Sequence, residues 1–259
     1  MNKRDFFASG IQPGKAVTIA VPGLNMKPGA FLELVNFLTQ QGSDVILVHL
    51  TGHGNDSQNL GEITRQAWWS DLLEAHQYAG TLIRNNPTPL YFIGFSLGSL
   101  VNLDALSHYP GIVHYDKMAL LAPANALRRR SHLIKFFFLL GRKFGIPSRQ
   151  PKKYRCWDKT PVQAYKVLFE MKKAIENQNY LNLNIPTLVF IDENDELISL
   201  GNLKKIINKY QLTHWDVCTL DSQYVGENTG YHHLIVDENT MGTGNWHRFQ
   251  SGIKAFFNL

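Results

Sequence analysis

Six short runs rich in Val, Ile and Leu recur along this chain, at 16–21, 44–50, 89–93, 117–122, 186–191 and 213–220. Most of the stretches between them are long enough to hold helices. That alternation restricts the fold sharply. Parallel strands need crossovers of a dozen or more residues, and strands covered on both faces read as continuous apolar runs. The intervening segments carry the matching signal: Phe31, Leu34, Val35 and Leu38 recur at helical spacing, as do Trp68, Leu72, Ala75, Ala79 and Leu82. Further helices are expected over 202–210 and 245–257, the last with Trp246, Phe249, Ile253 and Phe257 on one face. The expectation is an α/β chain, a mostly parallel sheet with helices on both faces.

The alternation breaks once. Residues 128–183 contain no convincing strand, only two helical stretches, about 131–144 and 160–178, joined by a basic, proline-containing link. This segment holds fourteen Lys and Arg against three Asp and Glu. Of the net charge of +5, it therefore carries +11 and leaves the remainder at −6. The basic character belongs to an insertion, and the body is mildly acidic. The expected division is a core of 1–127 and 184–259, with 128–183 capping the C-terminal edge of the sheet. A chain of 259 residues suits one such large domain.

No run approaches the ~18 to 20 apolar residues of a membrane span. Met1-Asn2-Lys3-Arg4-Asp5-Phe6-Phe7 leads into small and polar residues, not a signal-peptide core. Cys156 and Cys218 are the only cysteines, too few for a disulfide framework. A reducing, cytoplasmic location is expected.

Between the third run and the helical pattern of Leu100, Val101, Leu103 and Ala105 stands Gly94-Phe95-Ser96-Leu97-Gly98. A G-x-S-x-G occurs by chance in roughly one chain in ten of this length, but its place between strand and helix makes coincidence much rarer. At such a turn the serine is held in a strained backbone position with its hydroxyl above the sheet. A serine hydroxyl needs a histidine to take its proton and an acid to orient that histidine. Asp195 is the leading acid, a few residues past the fifth run and two before the apolar Leu197-Ile198; Asp192 is the alternative. The histidine is expected after the last run, where Tyr231-His232-His233-Leu234 offers two. Two backbone amides must also face the oxyanion. Leu97, after the nucleophile, supplies one, and Leu24, in Val21-Pro22-Gly23-Leu24-Asn25, the other.

The ordered set Val21-Pro22-Gly23-Leu24, Gly42-Ser43-Asp44-Val45-Ile46, Thr51-Gly52-His53-Gly54-Asn55-Asp56-Ser57 and Gly94-Phe95-Ser96-Leu97-Gly98 resembles the α/β-hydrolase superfamily. Within it the chain is similar to the monoacylglycerol lipase, lysophospholipase and carboxylesterase branch. The resemblance covers nearly everything except the insertion, and implies an α/β-hydrolase fold with a helical cap. It also implies that Asp195 closes the acid loop, that His53 is structural, and that the catalytic histidine precedes an acid by five residues. His232 precedes Asp237 and His233 precedes Glu238 by that spacing, so spacing leaves both open; Tyr231 directly before His232 favours His232, with His233 as the alternative base. The chain departs from the family in reading Pro22-Gly23 where His-Gly is usual, in an extra loop over 222–230, and in largely lacking the N-terminal strands of larger relatives.

The implied chemistry is serine hydrolysis of a carboxylic ester, through an acyl-enzyme, by Ser96, Asp195 and His232. No metal or organic cofactor is implied. A thioesterase or acyltransferase would use the same triad, and a noncatalytic binding protein could share the fold. Leu133, Ile134 and Phe136 to Leu140, flanked by Arg128 to Arg130, Arg142 and Lys143, read either as a cap helix over the site or as a basic amphipathic helix for an anionic membrane surface. Both favour a lipid-like substrate. No aromatic stacking array or recognised motif accompanies the charge, so nucleic acid is not an expected partner.

Overall fold

Among the described residues, strands β1 (Arg4–Phe7), β2 (Ala16–Val21), β3 (Ser43–Val48), β4 (Leu90–Phe95), β5 (Lys117–Leu121), β6 (Gly145–Pro147), β7 (Lys159–Pro161), β8 (Thr187–Asp192) and β9 (Trp215–Leu220) alternate with seven helices. These are α1 (Leu32–Gln40), α2 (Arg65–Asn85), α3 (Leu97–His108), α4 (Val162–Asn177), α5 (Leu200–Lys209), α6 (Glu238–Met241) and α7 (Thr243–Phe257). They come from a computed structural model that describes residues 4–10, 14–54, 60–178, 180–223 and 230–259. Part of the extra loop (224–229) and the Asn55-Asp56-Ser57 end of one family motif lie outside the described residues, as do Met1 to Lys3.

The main sheet runs β1-β3-β2-β4-β5-β8-β9. All neighbours are parallel except β1, which pairs antiparallel with β3. β2 and β4 are buried at every residue, as strands covered on both faces must be. α7 packs as its sequence dictates: Phe249 meets Phe190 of β8 edge-on at 4.9 Å, and Phe257 stacks on Tyr91 of β4 at 4.4 Å. Each such ring contributes about 1.5–3 kcal/mol by leaving water. Helix starts are capped where a polar residue allows it, α2 by Thr64 and α5 by Ser199, whose hydroxyls accept from Ala67 and Asn202. Among the described residues no helix is long and apolar enough to cross a membrane.

Two expectations need correction. An N-terminal strand does exist: β1 has two exposed residues between two half-buried ones, and a four-residue edge strand with charges lacks the apolar run that marked the others. The segment 128–183 also contains strands, since β6 and β7 pair antiparallel; three residues each are too short to register as periodicity.

The stretch expected as a helix over 131–144 is instead a series of 3-10 turns, Arg129–Leu140. In 3-10 geometry residues three apart eclipse, so the segment has three stripes. Ser131, Ile134 and Phe137 face a cavity. His132, Lys135 and Phe138 pack on or near Phe169 of α4. Leu133, Phe136 and Leu139 are 59%, 74% and 91% exposed.

Candidate active site

Ser96 lies between β4 and α3 with φ 50° and ψ −107°, a left-handed conformation that costs a side-chain-bearing residue roughly 1–3 kcal/mol. The surroundings enforce it. Its N–H donates to Leu121 O at 2.8 Å, and its carbonyl accepts from Leu100 and Ala124 at 3.2 Å each. Glycine at 98 is required by close approach: a Cβ there would sit 2.2 Å from the Val21 carbonyl oxygen. That contact seats the first turn of α3 against the end of β2, where the Leu24 loop begins.

The acids leave the C-terminal end of β8. Asp195 is fully buried, and its oxygens divide their work. Oδ1 accepts from the Leu197 and Ile198 amides at 2.7 Å each, while Oδ2 lies 2.8 Å from Nδ1 of His233. The other nitrogen of that ring, Nε2, is 2.9 Å from Ser96 Oγ. With a carboxylate on Nδ1, the neutral ring keeps its proton there and turns a lone pair toward the serine hydroxyl.

The structure thus reverses the expected order of the two histidines. His233, not His232, meets Ser96 and Asp195. His232 turns the other way, its Nδ1 2.9 Å from Oδ2 of the buried Asp192, whose Oδ1 accepts from Asn194 N and Ser222 Oγ at 2.6 and 2.7 Å. Tyr231 to Leu234 form a turn, the Leu234 N–H donating to the Tyr231 carbonyl at 3.2 Å, with the two histidines at its centre. Tyr231 is 8% exposed and borders the cavity with His233, while the His232 side chain is 28% exposed. The turn sends the two rings apart, an outcome that the spacing to a downstream acid does not carry.

Three features were not anticipated. Glu196 bridges both histidines, its carboxylate accepting from the backbone N–H of His232 at 3.1 Å and of His233 at 2.9 Å. Arg128 and Arg130, which had been grouped with a basic amphipathic helix, donate from Nε to the Asp195 and Glu196 carbonyls and so brace the acid loop. Tyr231 borders the site as a neutral phenol: burial first, then the charges of Asp195 and Glu196, push its pKa far above the ordinary tyrosine value.

A cavity of about 420 Å³ opens above Ser96, within the range of small-molecule sites. Leu24 and His233 border it, and most of its wall comes from 128–183, including Ile134, Phe137, Tyr165 and Leu168. Leu97 is buried as the first residue of α3.

Residues 12–153, more than half of the chain, match the family described as serine aminopeptidase, S33. Over 246 residues the chain is 20% identical to the thermostable monoacylglycerol lipase of Bacillus sp. (strain H-257), covering 90% of this chain and 94% of that protein. Its fold is similar to that of a soluble variant of monoglyceride lipase from Saccharomyces cerevisiae, with a TM-score of 0.78 at 11% identity, covering 98% of this chain and 90% of that one. A monoacylglycerol lipase from Paleococcus ferrophilus gives 0.72 at 14% identity, covering 98% and 97%. At such identities the structural likeness establishes the fold, a mostly parallel sheet flanked by helices.

Proposed function

The chain belongs to the serine aminopeptidase S33 family, on the monoacylglycerol lipase and esterase branch of the α/β-hydrolases, and from that premise we propose that it hydrolyses lipid-like carboxylic esters through an acyl-enzyme. The observation that carries the proposal is the unbroken line of hydrogen bonds from Asp195 through His233 to Ser96. Ser96 Oγ attacks the ester carbonyl while His233 Nε2 takes its proton, and Asp195 stabilises the resulting imidazolium. The Leu24 and Leu97 amides hold the oxyanion. Collapse expels the alcohol, which receives the proton from His233, and a water then repeats the sequence on the acyl-enzyme.

In this reading 128–183 is a cap on a core of 1–127 and 184–259, and its apolar cavity wall takes the acyl chain. Outward Phe136 and Leu139, beside Arg129, Arg142 and Lys143, support contact of a cytoplasmic protein with anionic lipid. The test is labelling with a fluorophosphonate, with Ser96→Ala as control, followed by hydrolysis of esters and thioesters of graded chain length. Labelling that does not depend on Ser96 rules the reading out; preference for thioesters would move the substrate class.

A further inference from the structure

We propose that Asn25 is a positioning residue for the oxyanion site, clamping the loop that carries Leu24 to the insertion; the proposal rests on the hydrolase reading above. Asn25 is 1% exposed and left-handed, with φ 57°. Every polar group it owns is engaged. Its N–H donates to Nε2 of His53 at 2.8 Å, and its carbonyl accepts from the Cys156 amide at 2.9 Å. Its side chain makes a cyclic pair with one backbone residue of the insertion: Nδ2 donates to Trp157 O at 2.8 Å, and Oδ1 accepts from Trp157 N at 2.9 Å.

The neighbouring residues extend this contact into a ladder. Gln150 Nε2 donates to Leu24 O at 2.9 Å, and Lys27 N donates to Tyr154 O at 2.8 Å. The peptide joining Leu24 to Asn25 is therefore held at its oxygen by Gln150 and at its nitrogen by His53, one residue from the amide assigned to the oxyanion.

The residue type separates a clamp from an ordinary turn. A turn at φ 57° is served at least as well by glycine, which adopts that region without strain. Only a carboxamide offers a donor and an acceptor side by side to the C=O and N–H of a single residue. An oxyanion donor acts only where it is preorganised, and removing one costs about 10²–10³ in kcat. A misplacement of about 1 Å can cost about 10². The clamp thus makes a segment outside the core part of what sets the turnover number.

Asn25→Gly separates the roles, because it keeps the backbone conformation and both main-chain hydrogen bonds while deleting the pair with Trp157. On the full-length protein and a short soluble ester, kcat should fall roughly ten- to a hundredfold with KM little changed. Affinity for an alkyl boronic acid, which forms a tetrahedral adduct on Ser96, should fall by a similar factor, while inhibition by the matching carboxylic acid is unchanged. If kcat and boronate affinity stay within about twofold of the parent, or if boronate and carboxylic acid weaken together, the positioning role is overturned. Should Asn25→Gly not fold, Gln150→Leu, which frees the Leu24 carbonyl, is read by the same criteria. A parent protein that fluorophosphonate does not label at Ser96 overturns the hydrolase reading, and this proposal with it, before any variant is compared.

Discussion

The two adjacent histidines allow a sharp test, because each is paired with a buried aspartate and only one reaches the serine. In His233→Ala, Ser96 Oγ loses its partner at 2.9 Å and Asp195 keeps the two amide bonds to its Oδ1. The base is gone while the acid stays largely solvated by backbone. Losing the base of such a unit lowers kcat by roughly 10⁴–10⁶, or about 5–8 kcal/mol of barrier. In His232→Ala the balance inverts. Asp192, buried completely, loses one of three partners and keeps Asn194 N and Ser222 Oγ. A buried acceptor left short of a partner costs about 1–3 kcal/mol, and each kcal/mol lowers the midpoint of a chain this size by about 2–4 °C. Catalysis should fall about tenfold or less. The assay is kcat on a soluble ester alongside a thermal melt of each variant. A folded His232→Ala enzyme that loses 10⁴ or more, beside a His233→Ala enzyme that retains activity, would refute the assignment.

Gly98→Ala drives a methyl group against the Val21 carbonyl at 2.2 Å; the expected result is poor folding or an enzyme whose fluorophosphonate labelling rate drops at least tenfold, and parent-like melting and labelling would contradict the packing argument. Phe136→Ser with Leu139→Ser removes two exposed side chains that do not border the cavity. Sedimentation with anionic vesicles should weaken roughly ten- to a hundredfold while hydrolysis of a short soluble ester is unaffected; undiminished binding would exclude this stripe as the lipid contact. Burial holds the His76 pKa below its ordinary 6.5, against the opposing hydrogen bond to the His114 backbone. The unfolded chain therefore takes up that proton first, so the His76 contribution to stability is present above pH 6.5 and is lost as pH falls through the folded value. Urea midpoints at pH 7.5 and 5.5 should differ less in His76→Gln than in the parent, and an equal difference would show that His76 does not contribute.

Legibility followed the size of the physical signal. β2, β4, β5 and β8 were readable because a strand covered on both faces must be apolar throughout, and the serine was readable because the elbow needs small residues at fixed places. β1 was invisible, since a four-residue edge strand satisfies no such demand. The choice between the histidines turned on a different quantity, the geometry of the turn from Tyr231 to Leu234. Spacing to a downstream acid is the same for both, whereas burial differs: His233 goes in, and His232 stays at the rim. No property of His232 or His233 alone carries that information. It lies in the turn that carries both residues.

The basic charge of 128–183 shows why a summed charge misleads. Read together, Arg128, Arg129 and Arg130 look like one patch awaiting an anion, yet two of the three are already committed. Arg128 donates to the Asp195, Ile198 and Glu193 carbonyls, Arg130 to that of Glu196. A guanidinium suits this work because its donors are fixed in a planar fork and reach several carbonyls of one turn at once. At the other end of the cavity wall, Gln150, Tyr154, Cys156 and Trp157 hold the Leu24 loop. Residues 128–183 therefore grip the Asp195 loop with their first residues and the Leu24 loop with their middle. Swinging the whole segment away would release both, so any opening that preserves the site must leave these two anchorages in place and move only what lies between them.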